Sequence, residues 1–170
     1  MGLPRKLKDL MLFNDGVAYV GEVGSVTLPK LSRKLEAWRG GGMDGEVKVD
    51  LGQGEAMELE FTCGGLMLDV LRQFGVMAVA GVMLRFAGAY QRDDTGAVDK
   101  VEVIVRGRHE EIDMGEAKGG EDTEFKVKSA LAYYKLVVNG RTEIEIDPIN
   151  MVLIVDGVDR LAERRAALGI

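Results

Sequence analysis

Very little in this chain could make a covalent or metal-held cross-link. Cys63 is the only cysteine among 170 residues, so no intrachain disulfide can form and a cysteine-based zinc site is excluded. A reducing compartment is the simpler setting, and the alternating neighbours of Cys63 mark it as a buried small hydrophobe. His109 is the only histidine. It stands among Arg108, Glu110 and Glu111 and reads as a surface residue, which leaves no Cys/His nucleophile pair and no pair of histidines at metal-ligand spacing. Long apolar runs are missing too. The longest, residues 76–84, is far below the roughly 20 residues needed to span a bilayer. The first dozen residues lack the apolar core of a signal peptide. The protein is therefore expected to be soluble and cytoplasmic when made, without stable membrane insertion. Proline is scarce at 3 residues whereas glycine reaches 23, and that excess serves turns and close backbone approaches.

An excess of positive charge is also lacking. The formal net charge is −6, which argues against a general nucleic-acid binder, because such proteins gain affinity by releasing phosphate counterions with Lys and Arg. What is present suits one globular domain over residues 1–170: hydrophobic residues make up 46% and charged residues 29%, too apolar a balance for a disordered chain.

The organising stretch is residues 101–147. Val101, Val103 and Val105 alternate with Glu102 and Arg106, the period-two pattern of a half-buried strand. Phe125, Val127, Leu131, Tyr133 and Val137 continue it on a second strand, against Glu124, Lys126 and Lys128. Asn139 and Gly140 supply the two positive-φ positions of a type I′ hairpin, and Ile144 and Ile146 alternate with Glu143, Glu145 and Asp147 on the return. The pattern describes a β scaffold without a catalytic constellation.

Around it the chain reads in order. Residues 1–9 lack a period and form an N-terminal arm that is ordered only if something holds it. Residues 10–13 are a short strand ended by Asn14, Asp15 and Gly16, and residues 17–28 are its partner, broken near Gly21 and Gly24. Residues 30–39 alternate but are heavily basic, as an exposed or edge strand would be. The glycine-flanked segment 39–54 reads as a long hairpin projecting from the body. Met57, Leu59, Phe61 and Cys63 mark a clean strand. Leu66, Met67, Val70, Leu71 and Phe74 form one helical stripe, stopped by Gly75. Residues 76–90 return to extended structure. The C-terminal segment 156–169 has a helical pattern through Val158, Leu161, Ala162 and Leu168, with Arg164 and Arg165 near the negative end of the dipole.

Residues 109–124 gather Glu110, Glu111, Asp113, Glu116, Glu121, Asp122 and Glu124 against Lys118 alone. As a solvated loop this needs no function. As a contact it complements the basic strand carrying Lys30, Arg33 and Lys34, and opposite charges on separate segments permit a head-to-tail contact between copies. The glycines at 40–45 are not a phosphate cradle, because the next apolar pattern is a strand and not a helix.

Several segments together resemble the major tail tube protein of contractile-tailed bacteriophages, the P2-like type also found in R-type pyocins. They are residues 26–36 (VTLPKLSRKLE), 39–45 (RGGGMDG), 86–96 (FAGAYQRDDTG), 106–125 (RGRHEEIDMGEAKGGEDTEF), 134–136 (YKL) and 145–168 (EIDPINMVLIVDGVDRLAERRAAL). They run in family order nearly end to end, with residues 63–82 the most divergent. The resemblance implies a mainly β fold with one or two helices, an antiparallel β-sandwich or barrel-like tail tube subunit. Hexameric rings of it stack into a channel, enclosed by tail sheath protein and holding tape-measure protein during assembly. Baseplate and tail terminator proteins stand at the ends, and DNA passes through during infection without specific binding. The particle would be assembled in the bacterial host cytoplasm and the protein would reside in the virion tail. No cofactor and no enzymatic activity are implied.

On that basis inter-subunit or inter-ring contacts are expected at Lys30, Arg33, Lys34, Arg39, Gly40, Gly41, Gly42, Met43, Asp44 and Gly45. Glu102, Glu110, Glu143 and Glu145 are candidates for an acidic lumen, where like charge would keep DNA from sticking. Two alternatives stand beside this reading: a type VI secretion-like ring-forming tube protein, and a monomeric ligand-binding β-barrel, which would need an apolar pocket with a few convergent polar groups.

Overall fold

The computed structural model describes residues 2–170. In chain order its elements are β1 (Lys6–Asn14), β2 (Val17–Ala18), β3 (Val23–Thr27), β4 (Arg33–Trp38), β5 (Val47–Gln53), β6 (Glu58–Cys63), α1 (Leu68–Arg72), β7 (Val82–Gln91), β8 (Val98–Asp113), β9 (Phe125–Val138), β10 (Arg141–Asp147), β11 (Val152–Val155), β12 (Val158–Asp159) and α2 (Ala162–Leu168). All strand pairs are antiparallel, and the main sheet runs β12-β11-β10-β9-β8-β7-β1-β2. The fold is mainly antiparallel β with two short helices, as expected.

β9 is the hub because one of its edges serves two partners. Its first half pairs with β6, from Cys63↔Phe125 to Glu58↔Ala130, and its second half pairs with β10. The sheet therefore splits along β9: β6 and β3 curl one way while β10, β11 and β12 continue the other. The concave side of the curl holds the core, with Leu12, Leu59, Phe61, Leu84, Phe86, Val103, Val105, Phe125 and Val127 almost wholly buried. α1 covers it with Val70 and Met67.

Two bulges adjust which side chains face that core. Arg106 pairs with Tyr133 but Gly107 pairs with Leu131, so Ala132 is an extra residue in β9. An extra residue reverses the alternation beyond it. Hence Tyr134, not the expected Tyr133, is the buried tyrosine. Gly107 faces this bulge, where an added Cβ would lie 2.0 Å from the Ala130 carbonyl oxygen. On β8 a second shift between His109 and Glu111 makes Glu110 the extra residue and returns Ile112 to the core side.

Other expectations are revised. β1 begins at Lys6, so residues 6–9 belong to a strand paired with β7 and not to a free arm. The stripe at residues 66–74 yields a helix only over Leu68–Arg72, and Leu66 and Phe74 are exposed. Residues 76–81 precede β7 instead of belonging to it. β8 continues to Asp113, because Glu111 and Asp113 stand directly opposite Lys128 and Lys126 across the ladder. Residues 156–161 are not helical. Asp156 (φ 53°) and Gly157 (φ 76°) turn β11 into β12 just as Asn139 (φ 50°) and Gly140 (φ 82°) turn β9 into β10. α2 then ends at Gly169 in the left-handed conformation.

His109 is the main correction: it is buried, only 6% exposed. Its Nδ1 lies 2.9 Å from the Ser129 hydroxyl and its Nε2 lies 2.9 Å from Gln73 Oε1. Because Gln73 Oε1 can only accept, Nε2 donates and Nδ1 accepts from Ser129. Asn14 and Gln73 exchange reciprocal amide hydrogen bonds of 2.7 and 2.8 Å, and Asn14 Nδ2 also donates to the Tyr19 hydroxyl at 2.9 Å. Gln73 Nε2 donates to Asp15 as well. This network ties α1 to β1, β8 and β9, and no buried side-chain polar atom among the described residues is left without a partner.

Two outcomes follow from this packing. Gly107→Ala is expected to lower stability by about 3 kcal/mol in urea unfolding, because the bulge cannot yield to a Cβ. Burial holds the His109 imidazole well below its ordinary value, at about 4, against a smaller opposing pull from Asp15. The unfolded chain thus binds a proton that the folded chain refuses between roughly pH 6.5 and 4, so stability present at neutral pH falls on acidification, by about 3 kcal/mol from this group at pH 4. Thermal unfolding of wild type and His109→Leu across that range checks it: the variant should be less stable at pH 7 and show a shallower acid slope.

Candidate functional site: assembly surfaces

Three surfaces are left without cover by the chain's own packing. The first is the hairpin of β4 and β5, which forms a separate two-stranded sheet. It is longer than the expected 39–54 segment, because the basic strand at residues 33–38 is one of its own arms. Trp38 pairs with Val47 and Glu36 with Val49, which places Trp38, Val47 and Val49 on one face, and all three are exposed. Its base is held by Arg33, which makes two hydrogen bonds of 2.9 and 3.0 Å to Asp50, and by Gly54 N–H donating to the Ser32 carbonyl. The Arg33 hydrogen bond, and then the Gly52 N–H, hold the Asp50 carboxyl below the usual carboxylate range.

Of the expected contact residues, Arg39, Gly40, Gly41, Gly42, Met43, Asp44 and Gly45 form the hairpin tip. There Gly40 N–H meets Met43 Sδ at 3.0 Å, and Arg39 donates to the Met43 carbonyl at 3.3 Å. Arg33 stands at the hairpin base, and Lys34 lies 3.7 Å from Glu36 within the same strand. Lys30 lies before the hairpin, lining a shallow cleft with Glu55, Glu58 and Glu60.

The second surface is the open face of the main sheet, opposite the core. Cross-strand rows run Met11↔Ala87↔Glu102↔Val137 and Phe13↔Arg85↔Ile104↔Lys135↔Glu145↔Ile154. Glu102 and Glu145 therefore share this face. Glu143 is the extra residue of a bulge between Thr142 and Ile144, and Glu110 is the exposed bulge residue of β8, away from these rows.

Sequence reasoning missed the cations beside these carboxylates. Lys100 Nζ lies 2.7 Å from Glu102, and Arg85 lies 3.8 Å from it while also stacking over Phe13 at 4.3 Å. The Lys100 hydrogen bond is the main reason the Glu102 carboxyl lies below its ordinary value, outweighing burial. Glu145 stands opposite Lys135, and Glu143 lies 3.8 Å from Arg141. The face carries both signs of charge and is not uniformly acidic. Period-two alternation could have revealed Arg85, which sits between the inward-facing Leu84 and Phe86, but not Lys135, because the bulge at Ala132 reverses the alternation before it.

The third surface is a cleft of about 470 Å³ between the hairpin base and the β10–β11–α2 flank, lined by Leu31, Leu51, Met57, Ile144, Ile146 and Leu161, with Arg164 beside them. Cys63 is far from any of these as a reagent: it is buried, and burial pushes its thiol up to about 11. Among the described residues no three His, Cys, Asp or Glu side chains gather in a metal-holding group, and no helix is long and apolar enough to cross a membrane.

The exposed apolar hairpin, open sheet face and lateral cleft are the surfaces the fold leaves uncovered. The family model described as "Phage tail tube protein FII" matches residues 4–169. Over an alignment of 172 residues the chain is 48% identical to the tail tube protein of Escherichia phage P2, covering 100% of both chains. It is 39% identical to the major tail tube protein of Serratia phage KSP20, covering 100% of this chain and 99% of the relative. In fold it is similar to a chain of the sheath-tube complex of an extracellular contractile injection system in its extended state, with a TM-score of 0.59 at 10% identity, over 80% of this chain and 91% of that one. With a family match spanning all but the chain's ends and two full-length relatives, this protein belongs to the phage tail tube protein family.

Proposed function

We propose that this protein is the structural subunit of the inner tube of a contractile phage tail. The observation that carries the reading is the 48% identity to a tail tube protein across 100% of both chains. Copies close into hexameric rings, and the rings stack into a channel inside a contractile sheath. Tape-measure protein occupies the channel during assembly, baseplate and terminator proteins cap its ends, and DNA leaves through it without being specifically bound. The subunit is assembled in the host cytoplasm and functions in the virion tail as architecture, not as an enzyme.

The surfaces support this division of labour. β1 is covered by β2 at Phe13 and Asn14, and the Leu12 carbonyl accepts from Tyr19 N–H, so the outer edge before Leu12 offers backbone hydrogen-bonding groups that a neighbour in a ring can use. The β4–β5 hairpin has its own sheet and its own base contacts, so it can reach an adjacent ring without disturbing the core. The open face suits a channel lining. Lys100 and Arg85 are held against Glu102 there, and a cation so paired gains little by attracting a phosphate.

The direct test is light scattering and negative-stain electron microscopy of the purified protein across concentration, alone and then with baseplate components. Rings or stacked rings with a stain-filled centre are expected; a strict monomer under both conditions refutes the tube. For the lining, Glu102→Lys combined with Glu145→Lys should leave tubes intact and slow DNA ejection from assembled particles. Wild-type ejection kinetics from such particles would place these residues outside the channel.

A further inference from the structure

We infer that Asn139–Gly140 is a latent deamidation site, held unreactive by the grip of Asp99 and Lys100 on the Asn139 amide and released when that corner of the sheet opens.

The reactivity belongs to the pair itself. It is the one Asn–Gly pair in the chain, since Asn14 precedes Asp15 and Asn150 precedes Met151. Its φ angles of 50° and 82° belong to the turn between β9 and β10, a conformation that favours Asn followed by Gly. Both residues are exposed, so water reaches them. Gly140 has no Cβ to obstruct its own backbone nitrogen, and around it the space is open, with nothing within 4 Å of where a Cβ would stand.

Deamidation begins when the Gly140 nitrogen, having given its proton to hydroxide, attacks Asn139 Cγ. The N–Cγ bond forms, the Cγ–Nδ2 bond breaks, and Nδ2 takes up a proton and leaves as ammonia. A succinimide ring remains, and water opens it. Cleavage of the new N–Cγ bond gives aspartate, whereas cleavage of the original peptide bond leaves the chain running through the side chain as isoaspartate. No electrons are gained or lost.

The closed corner opposes the first step. Asn139 Oδ1 accepts the Lys100 N–H at 2.9 Å, and Nδ2 donates to Asp99 Oδ1 at 2.9 Å. The Asn139 N–H donates to the Lys100 carbonyl at 2.8 Å. Asp99 is itself fixed, with its other oxygen 2.8 Å from Arg5 Nε. An amide held at both ends against the start of β8 cannot turn its Cγ toward the Gly140 nitrogen. Attack therefore waits on local opening, which breaks one neutral and one charge-assisted hydrogen bond.

Once reacted, the corner does not reclose. Aspartate at this position sets a carboxylate where Nδ2 meets Asp99, and two anions at hydrogen-bond distance repel. Isoaspartate adds a carbon to the backbone and no longer fits the two-residue turn. The latch between the start of β8 and the β9–β10 turn is then lost.

The test follows the tryptic peptide 136–141 by mass spectrometry after incubating the full-length protein at mildly alkaline pH, folded and in guanidinium chloride. Exchange of the amide for an acid raises the peptide mass, and methylation by an isoaspartyl methyltransferase identifies isoaspartate. Folded wild type is expected to react at least about tenfold more slowly than the unfolded chain, the effect of two hydrogen bonds that must open. Asp99→Ala should bring the folded rate close to the unfolded one. Lys8→Ala removes the neighbouring 2.9 Å contact to Asp93 without touching Asn139 and should leave the rate unchanged. Equal rates for folded and unfolded wild type, or equal acceleration by Asp99→Ala and Lys8→Ala, overturn the inference. Where Asp99→Ala does not fold, Asp99→Asn keeps an acceptor without the charge and should react at an intermediate rate; a wild-type rate overturns the inference. Asn139→Asp should melt below wild type, and an unchanged melting temperature overturns the failure to reclose.

Discussion

The structure depends on the demand placed on β9, which must pair along a single edge with β6 for half its length and with β10 for the other half. A regular strand would keep one set of side chains on one side throughout. The extra residue at Ala132 instead reverses the alternation just where the partner changes, so Leu131 and Tyr134 both reach buried surroundings. Gly107 on the facing strand gives the bulge the room it needs. From that branch follow the curl that encloses the core on one side and the open face left on the other.

A polar clamp secures the other end of the curl. Satisfied hydrogen bonds let His109, Ser129 and Asn14 be buried where unpaired groups would be costly. The clamp also holds the short helix α1, which has no side-chain cap at its N-terminus and too few residues to be stable on its own propensity. Fixing α1 fixes the apolar outer surface it carries. A subunit so built buries its core while leaving the hairpin, the cleft and Leu66, Phe74 and Met77 around α1 exposed.

The electrostatics follow the same separation. Cross-strand opposition pairs Glu111 with Lys128, Asp113 with Lys126 and Glu145 with Lys135, so much of the excess negative charge is balanced within the sheet. The net charge of −6 then resides largely in loops and rims.

The sequence by itself determined the strands, the Asn139–Gly140 hairpin, the burial of Cys63 and the β class, because period-two alternation and positive-φ turn residues are local properties. It also determined the family, through segments spread along the whole chain. Local signals failed where the decisive partner is distant. His109 looked exposed beside its charged sequence neighbours, yet Ser129 and Gln73 make its burial affordable. The stripe at 66–74 looked like a longer inward-facing helix, yet Leu66 and Phe74 face outward. Tyr133 looked buried until a bulge reversed the strand, and residues 156–161 looked helical until Asp156 and Gly157 formed a turn. Which carboxylates share a face and which cations stand beside them were decided only by the tertiary structure, because strand register and sheet order bring together residues far apart in the chain.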